Sequence, residues 1–322
     1  SEPPPPMMAG VVNLYTREYF SALAGRLAPG GLATYWLPIH QLEPRGAHAV
    51  IAAFCEVFPD CTMWAGSGYH WILMGGRDFA YRPDPAHFAR GWRDAQAGPR
   101  VRASGLEHPG QLGATFLADA AQLREWYRDA RPLTDNHPKR LAAPPRDDGV
   151  PDEYAKWQVP ETARRHFESS QWIARHWPEA MIRESLPYFA VQPITNGMVL
   201  PDPVRNLPLV DGVLRNTDLR IPILWLLGSD VPEQRILLRA TGADARKRTY
   251  PVEVAYPLGI RALADRDFAR AGELFGEVAE RDPRAAGALA AYALCRAGQA
   301  KRAAAVPGAG RLPPELRCWR GR

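Results

Sequence analysis

Residues 32–39, "LATYWLPI", decide the fold class of this 322-residue chain. Thr34 is the one polar residue in a run of strand length, the pattern of a central parallel strand covered on both faces. Upstream, Thr16 is an N-cap, and Phe20, Leu23, Ala24 and Leu27 recur at helical spacing until Pro29-Gly30-Gly31 stops them, which predicts a helix over 16–28. Downstream, Pro44 opens a helix whose stripe Ala47, Val50, Ile51, Phe54 and Phe58 ends at Pro59. "CTMWA" (61–65) and "YHWILMG" (69–75) follow, joined by Gly66-Ser67-Gly68, and read as a hairpin. Helix, strand, helix and hairpin in this order make the second half of a doubly wound α/β sheet finished by an antiparallel pair.

Beyond the hairpin, residues 84–130 read as helical, with start signals at Asp84-Pro85 and Asp119 and apolar faces at Phe88, Trp92, Leu123, Trp126 and Tyr127. "PLTDNHPKRL" (132–141) breaks that pattern, and "AAPPRDDGVPDE" (142–153) has a linker's composition. The expected organisation is an α/β domain over 1–141, a linker over 142–153 and a mainly helical region over 154–322. Trp157, Phe167, Trp172, Ile173 and Trp177 predict two helices between 154 and 186, and prolines interrupt 187–235. From Val252, the residues Leu258, Gly259, Ala271, Phe275 and Pro283 fit the small and large positions of a 34-residue tetratricopeptide unit, giving a repeat-like segment at about 252–306. An ordinary helical hairpin is the alternative.

Composition excludes several classes. Hydrophobic residues make up 46% and charged residues 23%, which is globular. The net charge is +5, but arginines dominate and lie beside acids, so no nucleic-acid surface is expected. Cys55, Cys61, Cys295 and Cys318 form no C-x-x-C pair and the eight histidines show no ligand spacing, so no metal is expected. Scarce cysteines fit a reducing cytoplasm. The most apolar run, "IPILWLLG" (221–228), is too short to cross a bilayer.

The segments "SEPPPPMMAGVVNLYTREYF", "LAPGGLATYWLPIH", "CEVFPDCTMWAGSGYHWILMGG" and "PLTDNHPKRL", which together span residues 1–141, resemble the C-terminal half of the spermidine synthase (polyamine aminopropyltransferase) family, especially bacterial members fused to membrane segments. Ser1-Glu2-Pro3 sits where that family ends its fourth strand in an acidic motif. Leu14, Tyr15, Thr16, Glu18, Tyr19 and Phe20 match the helix start that follows. The resemblance implies a Rossmann-like methyltransferase-type sheet, decarboxylated S-adenosylmethionine (or S-adenosylmethionine) as donor substrate with no tightly bound cofactor, and a small-molecule amine as acceptor. It implies a cytoplasmic protein, or the soluble part of a membrane-tethered one.

Alkyl transfer from a sulfonium needs a neutral amine, whereas an alkylamine is protonated at neutral pH, so a carboxylate must take its proton. Glu2 is the expected catalytic carboxylate. Tyr15, Tyr35, Trp36 and Trp64 are expected to line the acceptor site, since a cation sits well over a ring face, and Asp135 matches an acidic family position. Packing is the alternative for the four rings, and turn capping for Asp135. His40 and His70 are read as packing or surface residues. Two departures, Trp36-Leu37-Pro38 in place of a Gln-Gly-Glu-like segment and Ala65-Gly66 in place of Tyr-Pro, imply a different acceptor or a lost activity. The family's glycine-rich donor loop has no counterpart in these residues, so no turnover by the 322 residues alone is expected. Methyl transfer on the same fold, and a non-catalytic module holding a protein partner through the repeat-like region, are the other readings.

Overall fold

The computed structural model describes residues 3–4, 8, 10–66, 70–78, 84–136, 152–157, 159–191, 202–228 and 252–319. It divides into two compact units, Ser1–Met198 and Val199–Arg322.

In the first unit, α1 (Arg17–Arg26) begins at Thr16, whose side chain accepts from the Tyr19 N–H as the sequence suggests. Strand β1 (Leu32–Pro38), helix α2 (Pro44–Val57), and strands β2 (Thr62–Ala65) and β3 (His70–Gly76) follow. Short helices α3 (Pro85–Phe88), α4 (Arg90–Arg93) and α5 (Ala97–Ala103) lead to strand β4 (Phe116–Asp119) and α6 (Ala120–Trp126). Then come α7 (Asp152–Trp157), α8 (Pro160–Ser169), α9 (Gln171–His176) and α10 (Glu179–Ser185).

The sheet order is β1-β3-β2-β4, and all three pairings are antiparallel. This corrects the expectation of a parallel, doubly wound sheet. β3 turns back from β2 and inserts between it and β1, pairing Tyr35 with Leu73 on one side and Met63 with Leu73 on the other. β1 and β2 therefore run in the same direction without touching, linked by α2. The hairpin forms as expected, Gly66 N–H donating to the His70 carbonyl at 2.8 Å. β4, missed within the stretch read as helical, is four residues long and wholly buried. Alternation cannot reveal so short a strand, and its last residue, Asp119, is also the N-cap of α6.

One sheet face carries Ala33, Tyr35, Leu37, Met63, Ala65, Trp71 and Leu73, all buried with Phe20 of α1 and the α2 stripe Ala47, Val50, Ile51 and Phe54. On the opposite face Trp64 packs against Phe116, Trp172 and Trp177 at ring-centroid distances of 5.1, 6.0 and 5.9 Å. Tyr154 lies in the first core and its hydroxyl donates to the Leu42 carbonyl at 2.9 Å. The compact unit that holds these contacts runs to Met198, and residues 142–151 of the expected linker lie outside the described residues.

The second unit contains α11 (Leu207–Asn216), α12 (Ile221–Leu227), α13 (Val252–Ala264), α14 (Phe268–Ala279), α15 (Pro283–Arg296) and α16 (Ala300–Ala305). "IPILWLL" is thus a helix, and no helix among the described residues is long and apolar enough to cross a membrane. Asp211, nearly buried, accepts from Tyr292 Oη (2.7 Å), Arg296 Nη1 (2.7 Å) and Arg215 Nε (2.6 Å), which fastens α11 to α15. Burial alone would raise its pKa, but the hydrogen bonds from Arg215, Tyr292 and Arg296 outweigh it and hold the carboxyl low. Gly259 lies under the Phe275 ring, where an added Cβ would come within 2.7 Å of a ring carbon.

Two histidines couple the first unit to pH. Burial depresses His48, against the pull of Glu153, whose Oε1 lies 2.8 Å from His48 Nε2. Burial likewise depresses His166, whose Nδ1–H donates to the Leu117 carbonyl at 2.8 Å and ties α8 to β4. A folded pKa below the unfolded one means that the unfolded chain gains protons first as pH falls. The stabilisation is therefore present above about pH 6.5 and is lost below it. The melting temperature is expected to fall between about pH 7 and pH 5, and His48→Gln with His166→Gln is expected to flatten that slope. An unchanged slope in the double variant would contradict the assignment.

Candidate functional site

Segments far apart in sequence meet at the N-terminus of α1. Thr16 is fully buried. Its hydroxyl proton is within reach of Asp135 Oδ1 at 2.7 Å and of the Asn13 carbonyl at 2.9 Å, while its oxygen caps α1. Asp135 returns a bond, its backbone N–H donating to Glu18 Oε2 at 3.0 Å. The chain around them is pinned by Arg17 N–H to the Leu133 carbonyl (2.9 Å) and Leu133 N–H to the Ala49 carbonyl (3.1 Å). Arg17 also reaches Glu56 at 3.3 Å and Glu18 at 3.2 Å. The Glu18 carboxyl is held below its ordinary range by its own backbone N–H and that of Asp135. An anion at this position suits the positive end of α1 as well.

Beneath this clamp the phenols of Tyr15 and Tyr35 are wholly buried, their rings edge to face at 5.6 Å. Tyr15 Oη donates to the Pro4 carbonyl at 3.1 Å, and Tyr35 Oη donates to the Leu14 carbonyl. Desolvation raises both pKa values, so both hydroxyls remain neutral donors at physiological pH. The tyrosines thus hold Leu14 and the Pro3-Pro4 end of the opening segment against the sheet. Pro3 is buried there, and Glu2, the expected catalytic carboxylate, lies outside the described residues.

The four expected aromatic residues do not converge. Tyr35 and Trp36 are consecutive in β1 and point to opposite faces, as strand geometry requires. Trp36 and Trp64 do share a face, each opposite Ile72, from either side of β3. Trp64, partly exposed, packs among its aromatic neighbours and donates from Nε1 to Thr62 Oγ1 at 2.7 Å. Trp36 is partly exposed; its Nε1 donates to His70 Nδ1 at 3.0 Å and its ring stacks on the imidazole. His40 meets His70 edge-on at 4.6 Å, making an aromatic cluster where β1 and β2 end.

Two groups therefore stand at the site, the polar clamp Thr16-Glu18-Asp135 over a tyrosine floor, and the Trp36-His70-His40 cluster on the other face. Thr16 was visible in the sequence as a helix start and not as a partner of Asp135. Its long-range partner carries no local signal across 119 residues. No group of three or more His, Cys, Asp or Glu side chains among the described residues could hold a metal ion. No family model, no curated protein and no solved structure matches the chain.

The clamp makes a testable claim about coupling. Thr16→Val removes both the cap and the donor to Asp135 and is expected to cost about 1–2 kcal/mol. Asp135→Asn is expected to cost less. In a double-mutant cycle read by urea denaturation, the two changes should couple by about 0.5 kcal/mol or more. Strict additivity would show that the bond between them carries no stability.

Proposed function

We propose that residues 1–141 form the acceptor side of a spermidine-synthase-like aminopropyltransferase, with decarboxylated S-adenosylmethionine as donor and an amine as acceptor. The observation that carries this reading is the Thr16–Asp135 hydrogen bond, which unites two of the segments that resemble the family, 14–20 and 132–141.

In this reading Glu2 takes a proton from the ammonium of the acceptor. The freed nitrogen lone pair then attacks the carbon beside the sulfonium, the C–S bond breaks, and its electrons leave the sulfur as a neutral thioether. Asp135, exposed on its turn and fixed by Thr16, supplies negative charge for the cationic acceptor. Tyr15 and Tyr35 act beneath it as positioning residues. The helices from Val252 onward are read as tetratricopeptide-like, a protein-binding region, on their repeat spacing and the seating of Phe275 against Gly259.

A non-catalytic reading rests on one observation, that Tyr15 and Tyr35 have no exposed surface, so that two of the expected ligand residues serve packing. The experiment that separates the readings takes the full-length gene product. It is incubated with decarboxylated S-adenosylmethionine or S-adenosylmethionine and a panel of diamines, and thioether release is measured. The proposal expects aminopropyl transfer that Glu2→Gln lowers by about 100-fold or more. Methyl transfer alone would favour the methyltransferase reading. Absence of transfer with both donors, or transfer unaffected by Glu2→Gln, would overturn the assignment.

A further inference from the structure

The four cysteines form two disulfides, Cys55–Cys61 and Cys295–Cys318, with Cα–Cα distances of 5.4 and 5.3 Å. The two differ in what surrounds them. Cys55 and Cys61 are 7% and 0% exposed and belong to the core formed by α1, α2 and the sheet. Cys295 is half-buried in the last turn of α15, and Cys318 is exposed on the segment that follows the final 3-10 turn, Pro314–Leu316. Thiol–disulfide exchange requires a thiolate to reach a sulfur, so exposure separates a permanent cystine from a reactive one.

The segment after α16 is held in two different ways. Up to Leu312 it is anchored by packing, since Leu312 is wholly buried and Arg311 reaches the Arg284 carbonyl and, at 3.4 Å, Asp202. Beyond Leu312 the described hydrogen bonds of Arg317 return to Leu312 and Gly310 at 2.8 Å each, within the segment itself. Residues 313–319 are fastened to α15 by the disulfide and by the Cys318 N–H, which lies 3.2 Å from Cys295 Sγ. That N–H is aimed at the sulfur that would leave as a thiolate.

We propose that Cys295–Cys318 is a redox-modification site, a latch that a dithiol reductant opens while Cys55–Cys61 stays closed. A thiolate of the reductant attacks the exposed Cys318 sulfur, the bond to Cys295 breaks, and Cys295 leaves as a thiolate that takes up a proton. The second thiol of the reductant then displaces Cys318 from the mixed disulfide. Two electrons and two protons pass to the protein, and the reductant ends as its own disulfide. The consequence of opening is release of residues 313–319 from α15, with the helices and Leu312 left in place.

The test poises the whole chain in a series of dithiothreitol redox buffers, quenches with an alkylating agent and maps the modified cysteines by mass spectrometry. In parallel, tryptic cleavage after Arg317 is timed, and circular dichroism records helix content. Cys295 and Cys318 are expected to become alkylated in buffers that leave Cys55 and Cys61 joined. Cleavage after Arg317 is expected to rise on the order of tenfold with helix content unchanged. The Cys295→Ser/Cys318→Ser variant should show the fast cleavage without any reductant. Opening of both pairs in the same buffer would overturn the proposal. So would equal cleavage rates for open and closed forms, or unpaired Cys295 and Cys318 in an oxidising buffer.

Discussion

The double pairing of β3 is the constraint on which the first unit depends. Both edges of this strand are used, one by β1 and one by β2, and its side chains alternate between the two faces of the sheet. Trp71, Leu73 and Gly75 turn to the core under α1 and α2, and the approach there is close enough that a Cβ on Gly75 would meet the Phe58 ring. Ile72 turns the other way and is flanked by Trp36 and Trp64. The position of β3 therefore fixes which aromatic residues are core and which can meet a ligand. It also sets the end at which β1 and β2 both finish, beside His70.

The two groups at the site follow from that frame. Strand alternation sends Tyr35 inward and Trp36 outward, so the tyrosines support the α1 clamp while Trp36 joins the imidazole cluster. The clamp itself depends on the α1 N-cap. Thr16 offers its oxygen to the helix and its proton to Asp135, so one buried hydroxyl both starts a helix and fastens a segment more than a hundred residues away. In the second unit Asp211 does comparable work for α11 and α15, as a buried carboxylate satisfied by three donors.

Much of this frame was legible in the sequence because it is local. The N-caps at Thr16, Asp84 and Asp119, the α2 stripe, β1 and the β2–β3 hairpin all rest on signals within a few residues. What escaped was non-local. A continuous apolar run tells that β1 is covered, but not whether its neighbour runs parallel or antiparallel. β4 is too short to show alternation, and tryptophans 157, 172 and 177 carry no mark of the sheet they pack on. Of the candidate site, the residue types at Tyr15, Tyr35, Trp36, Trp64 and Asp135 could be read, whereas their division between two faces needed the register. Scarcity of cysteine spoke for a reducing compartment, while the pairing of all four depended on contacts that spacing does not encode.

The central claim is that β3 lies antiparallel between β1 and β2, and cross-strand proton contacts test it most directly. Antiparallel strands bring α-protons close across alternate residue pairs, which parallel strands do not. Nuclear Overhauser spectra are predicted to show α-proton contacts at every second pair of the series Ala33–Gly75, Thr34–Met74, Tyr35–Leu73 and Trp36–Ile72, and at one of the two neighbouring pairs Met63–Leu73 and Trp64–Ile72. Direct backbone contacts between β1 and β2, such as Tyr35 with Met63, would place the two strands side by side and contradict the account.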